Sequence, residues 1–252
     1  MKTDYFISIL TSKDLSAEMF APAFLEAWLN NGNSKLRPEK FSHGEPVRYD
    51  IEERGGIPAV LEAWKETMLM FKRVSEPKFT VDTEWSRLRK LNPRPYLGCV
   101  RVWLSRKARD DLALEFFDFL VRWFEPEFGS ITTSEDYDRK HFLSYPTFKP
   151  DGTYTGRAEA SIGTDFLCGI PGIYWITYMT PDVLDAENIK AVGNKVVKRD
   201  RRGGHFIKAY NSSSLIGTET GLAAEKAIAD ILGSERFFNA AAWLKAQEAK
   251  AK

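Results

Sequence analysis

Gly169–Pro181, Gly-Ile-Pro-Gly-Ile-Tyr-Trp-Ile-Thr-Tyr-Met-Thr-Pro, is the stretch on which the fold turns. Ile173 to Met179 is an unbroken run of β-branched, aromatic and large apolar side chains, bounded by Pro-Gly before and Thr-Pro after. Such a run predicts a strand buried on both faces. In a strand, Ile173, Trp175, Thr177 and Met179 point one way, and Tyr174, Ile176 and Tyr178 the other. Both faces then need cover, and the flanking chain must supply it.

Upstream, Arg106–Phe124 is the longest predicted helix, with Ser105 as its N-cap. Lys107, Asp111, Glu115, Asp118 and Arg122 form one polar stripe, while Phe116, Phe117, Phe119, Trp123 and Phe124 crowd the rest. A helix so apolar is buried over most of its circumference. Before it, Tyr96–Ser105 predicts a strand with Val100, Val102 and Leu104 on one face. Arg101 stands out on the other, placed at the sheet rim or beside a carboxylate. Tyr5–Leu10, Val47–Ile51 and Lys78–Glu84 predict further strands, and Asn92-Pro93-Arg94-Pro95 a break. Helices are expected from about Ala21, with Pro22 in the first turn, and over Ile57–Phe71, with Pro58 in the same role. Downstream, Thr180-Pro181-Asp182 opens a short helix to about Asn188. Asn194–Arg199 and Gly204–Tyr210 read as a β-hairpin, and Gly221–Leu232 as a helix stopped by Gly233. The fold class that follows is α+β, with helices packed on a mixed or antiparallel sheet. A single domain over 1–252 is expected, and Tyr145–Gly163, rich in Pro and Gly, marks the one candidate sub-lobe boundary.

The 36 basic and 35 acidic side chains nearly cancel, which argues against a dedicated nucleic-acid binder. No segment approaches the roughly 18 apolar residues of a membrane span, and the N-terminus does not read as a signal peptide. A cytoplasmic location is the default expectation, with Cys99 and Cys168 as buried thiols.

Chemistry is harder to find. His43, His141 and His205 share no ligand spacing, and no metal site is expected. Asp136-Tyr137-Asp138 begins like a calcium loop but lacks its glycine and closing glutamate. No nucleophile elbow, dinucleotide fingerprint or phosphate-binding loop occurs. Ser213 and Ser214 have no identifiable base. Neither a catalytic residue nor a cofactor is assigned. Two local features remain. Arg201, Arg202 and His205, at the tip of the predicted hairpin, could hold a phosphate, with His205 as acid or base; a solvated tip charged against edge pairing is the alternative. Glu125–Asp138 carries Glu125, Glu127, Glu135, Asp136 and Asp138 with no Lys or Arg and reads as an acidic loop.

The pattern from Gly169 to Pro181, with its order of a Pro-Gly entry, an aromatic strand, a Pro-led helix and a hairpin, resembles bacterial immunity proteins of polymorphic-toxin and type VI secretion systems. The closing helix with Gly233-Ser234-Glu235-Arg236-Phe237-Phe238 is similar to them too, and the resemblance is to immunity protein family fifty-two. It implies a non-enzymatic antitoxin that occludes a cognate toxin, often a nuclease, with no cofactor and no direct contact with nucleic acid or membrane. A nuclease groove is positive, so a negative inhibitor surface would speed encounter. On that expectation Glu127, Glu135, Asp136 and Asp138 bind the toxin, with Tyr137 as an aromatic anchor. Oligomeric state is not legible.

Overall fold

Tyr5–Thr11 (β1), not the Gly169–Pro181 stretch, lies at the middle of the sheet. The structure is a computed structural model that describes residues 4–85, 98–149, 151–161 and 169–250. After β1 come the helix Phe20–Leu25 (α1), continued as a π-helical turn over Glu26–Asn30, and the short strands Lys40–Ser42 (β2) and Tyr49–Asp50 (β3). Ile57–Ala63 (α2), Met68–Arg73 (β4), Phe79–Trp85 (β5), Gly98–Leu104 (β6) and Asp110–Phe124 (α3) follow. Then come Phe128–Thr133 (β7), Ser134–His141 (α4), Phe142–Phe148 (β8), Tyr154–Ser161 (β9) and Ile176–Met179 (β10). Ala186–Val192 (α5), Val196–Arg199 (β11), His205–Lys208 (β12), Glu219–Leu232 (α6) and Ala240–Lys250 (α7) complete the order. The main sheet runs β11-β12-β10-β7-β1-β6-β5-β4-β2-β3 with antiparallel neighbours, and β8 and β9 pair only with each other. The expected α+β class holds.

All seven residues of β1 are buried because it has a neighbour on each edge and cover on each face. Ile7 opposes Val102 on β6 and Ile131 on β7. On this face α3 lays Phe116, Phe117, Leu120, Val121 and Phe124 into the core, each at most 1% exposed. Each such side chain contributes about 1.5–3 kcal/mol by leaving water. Gly129 lets the helix approach, because a Cβ there would stand 2.9 Å from the Phe117 ring. On the other face α4 covers β1, with Tyr137 packed on Phe6 at 4.3 Å between ring centres.

Several expectations change. The Ile173–Met179 run is buried throughout, but only Ile176–Met179 is strand. Tyr174 turns aside, and its N–H donates to Thr177 Oγ1 (2.9 Å). The helix expected over Ile57–Phe71 stops at Ala63, and Met68–Arg73 is strand, since Leu69 and Phe71 fit a two-residue alternation while Trp64, Met68 and Phe71 also fit a helical spacing. Ser105 does not cap α3, which starts after a turn at Asp110, with Arg109 in the cap position. The Pro-led helix begins instead at Ala186, where Asp185 accepts from the Asn188 N–H (2.9 Å). Tyr145–Gly163 is no linker as far as it is described; it is most of the β8–β9 hairpin. The expected Asn92–Pro95 break, the start of the Tyr96–Ser105 strand and Cys168 lie outside the described residues. Arg101 does meet carboxylates, Asp82 at 2.8 Å and Glu84 at 3.6 Å.

Candidate interaction surface

The two segments singled out by the sequence meet in space. Hairpin β11–β12 forms as expected, and Asp200 organises its tip. The Asp200 carboxylate accepts from the N–H groups of Arg202 (2.9 Å) and Gly204 (2.8 Å) and from the Tyr178 hydroxyl (2.5 Å). Arg202 then reaches the end of α3, donating to the carbonyls of Glu125 (3.0 Å) and Pro126 (3.5 Å). Carbonyls at a helix end lack intrahelical partners, and the negative end of the helix dipole favours a cation. Thr11 Oγ1 donates to the Phe124 carbonyl (2.5 Å) and Lys13 Nζ to that of Trp123 (2.9 Å), completing the cap. Arg202 is therefore engaged in capping. His205 is 4% exposed, and burial, then the nearby Arg199 charge, push its pKa down. Arg201 alone of the three points freely to solvent, without an ion pair among the described residues. The residues expected to grip a phosphate do not converge on one.

Glu125–Asp138 is not an acidic loop. Its middle is β7, between β1 and β10, and its end is α4, capped by Thr133, whose side chain accepts from the Asp136 N–H. Glu127 is turned to the Ser12 N–H (2.8 Å). Asp136 is 3% exposed and takes hydrogen bonds from Thr132 Oγ1 (2.5 Å), Lys140 Nζ (2.9 Å) and Arg139. Burial alone would raise its pKa, but Lys140, Thr132 and Arg139 together hold it below the usual carboxylate value. Tyr137 is wedged between Phe6 and His141, and its hydroxyl, desolvated, is pushed up to about 12. Asp136 and Tyr137 thus face the protein, correcting the expectation of an exposed acidic patch; Glu135 and Asp138 remain on the outer face of α4.

Lys140 is the hub of this interior. Besides Asp136 it donates to Glu225 of α6 (2.8 Å) and to the Ile173 carbonyl (2.6 Å), so all three ammonium protons are used. Glu225 also accepts from the Tyr210 hydroxyl (2.9 Å). Burial raises the Glu225 pKa, against the opposing pull of Lys140. Beside it, His141 is pushed down to about 4 by burial, with Nδ1 3.2 Å from the Tyr137 carbonyl oxygen and 3.0 Å from the Tyr174 hydroxyl. Ser213, without a base in the sequence reading, donates to Asp110 (2.6 Å) beside the Tyr5 hydroxyl (3.1 Å), which ties its loop to the start of α3. These groups are saturated by one another and serve packing. Among the described residues no group of His, Cys, Asp or Glu is arranged to hold a metal, and no helix is long and apolar enough to cross a membrane.

One surface recess did not emerge from the sequence. It has a volume of about 480 Å³ and lies between α3 and the π-helical turn that extends α1. Trp28, Phe119 and Trp123 form its aromatic wall. Glu115 stands at its mouth, held by Asn33 Nδ2 at 2.9 and 3.0 Å from its two oxygens. Glu115, Phe119 and Trp123 do follow one another at four-residue steps, which a helical projection would have aligned. Their partners Trp28 and Asn33 lie some eighty to ninety-five residues away, and no local pattern connects them.

No protein-family model and no curated protein matches the sequence. Among solved structures the chain is similar to the Pseudomonas aeruginosa T6SS protein PA0821, with a TM-score of 0.57 and 10% identity, over 93% of this chain and 73% of that one. At that identity the likeness is one of fold.

Proposed function

We propose that this protein is an immunity protein of a type VI secretion or related toxin system, which binds a cognate toxin and occludes its working surface. The observation that carries the reading is the fold shared over 93% of the chain with a T6SS protein. The Gly169–Phe238 resemblance to immunity proteins points the same way. So does the saturation of the most perturbed polar groups: Asp136, Lys140, Glu225 and His141 are engaged in packing. A preformed rigid surface is what an occluding inhibitor requires, since little ordering entropy is then lost on docking. A nuclease is the toxin class the resemblance implies. The phosphate-binding alternative is weaker, because Arg202 caps α3 and His205 is buried.

Co-expression with the toxin encoded beside it tests the reading. Rescue of growth and a complex that co-elutes on a sizing column are expected; continued killing without a complex would sink it. Thermal melts with nucleotides and phosphate esters test the alternative, since a ligand bound to the native state must raise its melting point.

A further inference from the structure

We infer that the recess beside α3 is the seat for an arginine side chain of a basic partner protein, a contact that rests on the immunity reading for the identity of that partner. Three features of the site define the occupant. The first is charge. Lys13 is paired with Glu125 at 2.8 Å and Arg122 with Asp118 at 3.4 Å, which leaves Glu115 as the charge at the recess without a counter-ion among the described residues. The second is shape. Phe119, one helical turn from Glu115, offers half-buried aromatic surface, with Trp123 one turn further along, and a flat guanidinium stacks on aromatic surface while its edge meets a carboxylate. The third is preorganisation. Asn33 Nδ2 lies 2.9 and 3.0 Å from the two Glu115 oxygens, which fixes the carboxylate and leaves an outer lone pair on each, so that one oxygen can accept a single N–H of a guanidinium. Asn33 is itself fixed, since its side chain accepts from the Lys35 N–H (2.9 Å).

The wall is built in an uncommon way. Glu26–Asn30 is π-helical, a form that is rare and concentrated at functional sites. This turn presents Ala27 and Trp28 to the recess, with Asn31 just after it, and the Trp28 indole is locked by donation to the Leu36 carbonyl (2.7 Å). A second recess, of about 500 Å³, continues along α3 past Glu115 and Asn33. Its cations Lys107 and Arg109 are paired with Glu76 (3.2 Å) and Asp111 (2.6 Å), so a loop lying along the helix meets no unpaired cation there except Lys35.

Two measurements test the inference. In the first, N-acetyl-arginine amide and its uncharged isostere N-acetyl-citrulline amide are titrated into the protein. The Trp123 indole N–H signal, assigned by Trp123→Phe, is followed by NMR. Saturable shifts with arginine, weakened at least fivefold by Glu115→Gln, are expected. Equal response to citrulline, no saturation, or an unchanged Glu115→Gln titration overturns the inference. In the second, toxin affinity is compared for wild type, Glu115→Arg and an exposed control, Glu53→Arg. A loss of tenfold or more confined to Glu115→Arg supports the seat. Toxin bound equally by all three overturns it while leaving the immunity reading intact. If wild type binds no toxin, the immunity reading fails and the amide titration decides the recess by itself. A dimer of this chain that Glu115→Arg dissociates would make a second copy the occupant, and would also overturn the proposal.

Discussion

Lys140 is a single cation set between two buried carboxylates, and removing it leaves Glu225 without its counter-charge and Asp136 with only the more exposed Arg139. Lys140→Met should destabilise the fold by about 3–5 kcal/mol, read as a lower urea midpoint at unchanged slope. Its neighbour His141 sets an acid dependence. The imidazole pKa falls from 6.5 to about 4 in the fold, so between those values the unfolded chain binds a proton that the native state refuses. Stability then drops as pH falls through that window, by up to about 3 kcal/mol near pH 4. His141→Phe should flatten this dependence in urea melts between pH 4 and 7. None of this was legible in the chain. Lys140 and Glu225 are far apart in sequence, and Asp136 looked solvated because its cations, Arg139 and Lys140, fall just beyond the acidic run. Arg101 was legible, because a charge within an alternating strand has few places to go, and it meets Asp82 and Glu84 as that reasoning requires.

At the scale of elements, the closed end of α3 and the β11–β12 tip act as one joint. Arg202→Ala removes the donors to the Glu125 and Pro126 carbonyls just past the helix and should cost about 1–2 kcal/mol in chemical denaturation. Gly204→Ala should be far worse, because the added methyl lands on the Tyr178 hydroxyl. Loss of soluble protein, or a melting point lower by more than ten degrees, is expected. The hairpin was readable from Asp200–Gly204 between two strand-like runs, since turn chemistry is local. The Ile57–Phe71 region was not. Trp64, Met68 and Phe71 keep helical spacing by coincidence, and the choice between helix and strand was made by β2 and β5, which β4 pairs on either side. The acidic loop failed for the same reason: Phe128–Thr133 has little strand signature beyond Ile131 and its threonines, and is a strand because β1 and β10 flank it.

Across the whole molecule, protection against hydrogen exchange should follow position in the sheet. Amides of β1, β6 and β7 should exchange slowest, at the free energy of global unfolding, and those of the β8–β9 hairpin, which pairs outside the main sheet, much faster. Comparable protection in both would contradict the layered description. The central place of β1 has a further consequence, for synthesis on the ribosome. Its two neighbours are Gly98–Leu104 and Phe128–Thr133, so β1 is flanked on both edges only after residue 133 has been made. At ordinary translation rates that interval is roughly 6–25 s. Throughout it, Tyr5–Thr11, a segment destined for complete burial, has no complete site to enter. The nascent chain therefore depends on whatever shields apolar segments near the exit tunnel, and a stalled or truncated copy ending before β7 would be a substrate for degradation.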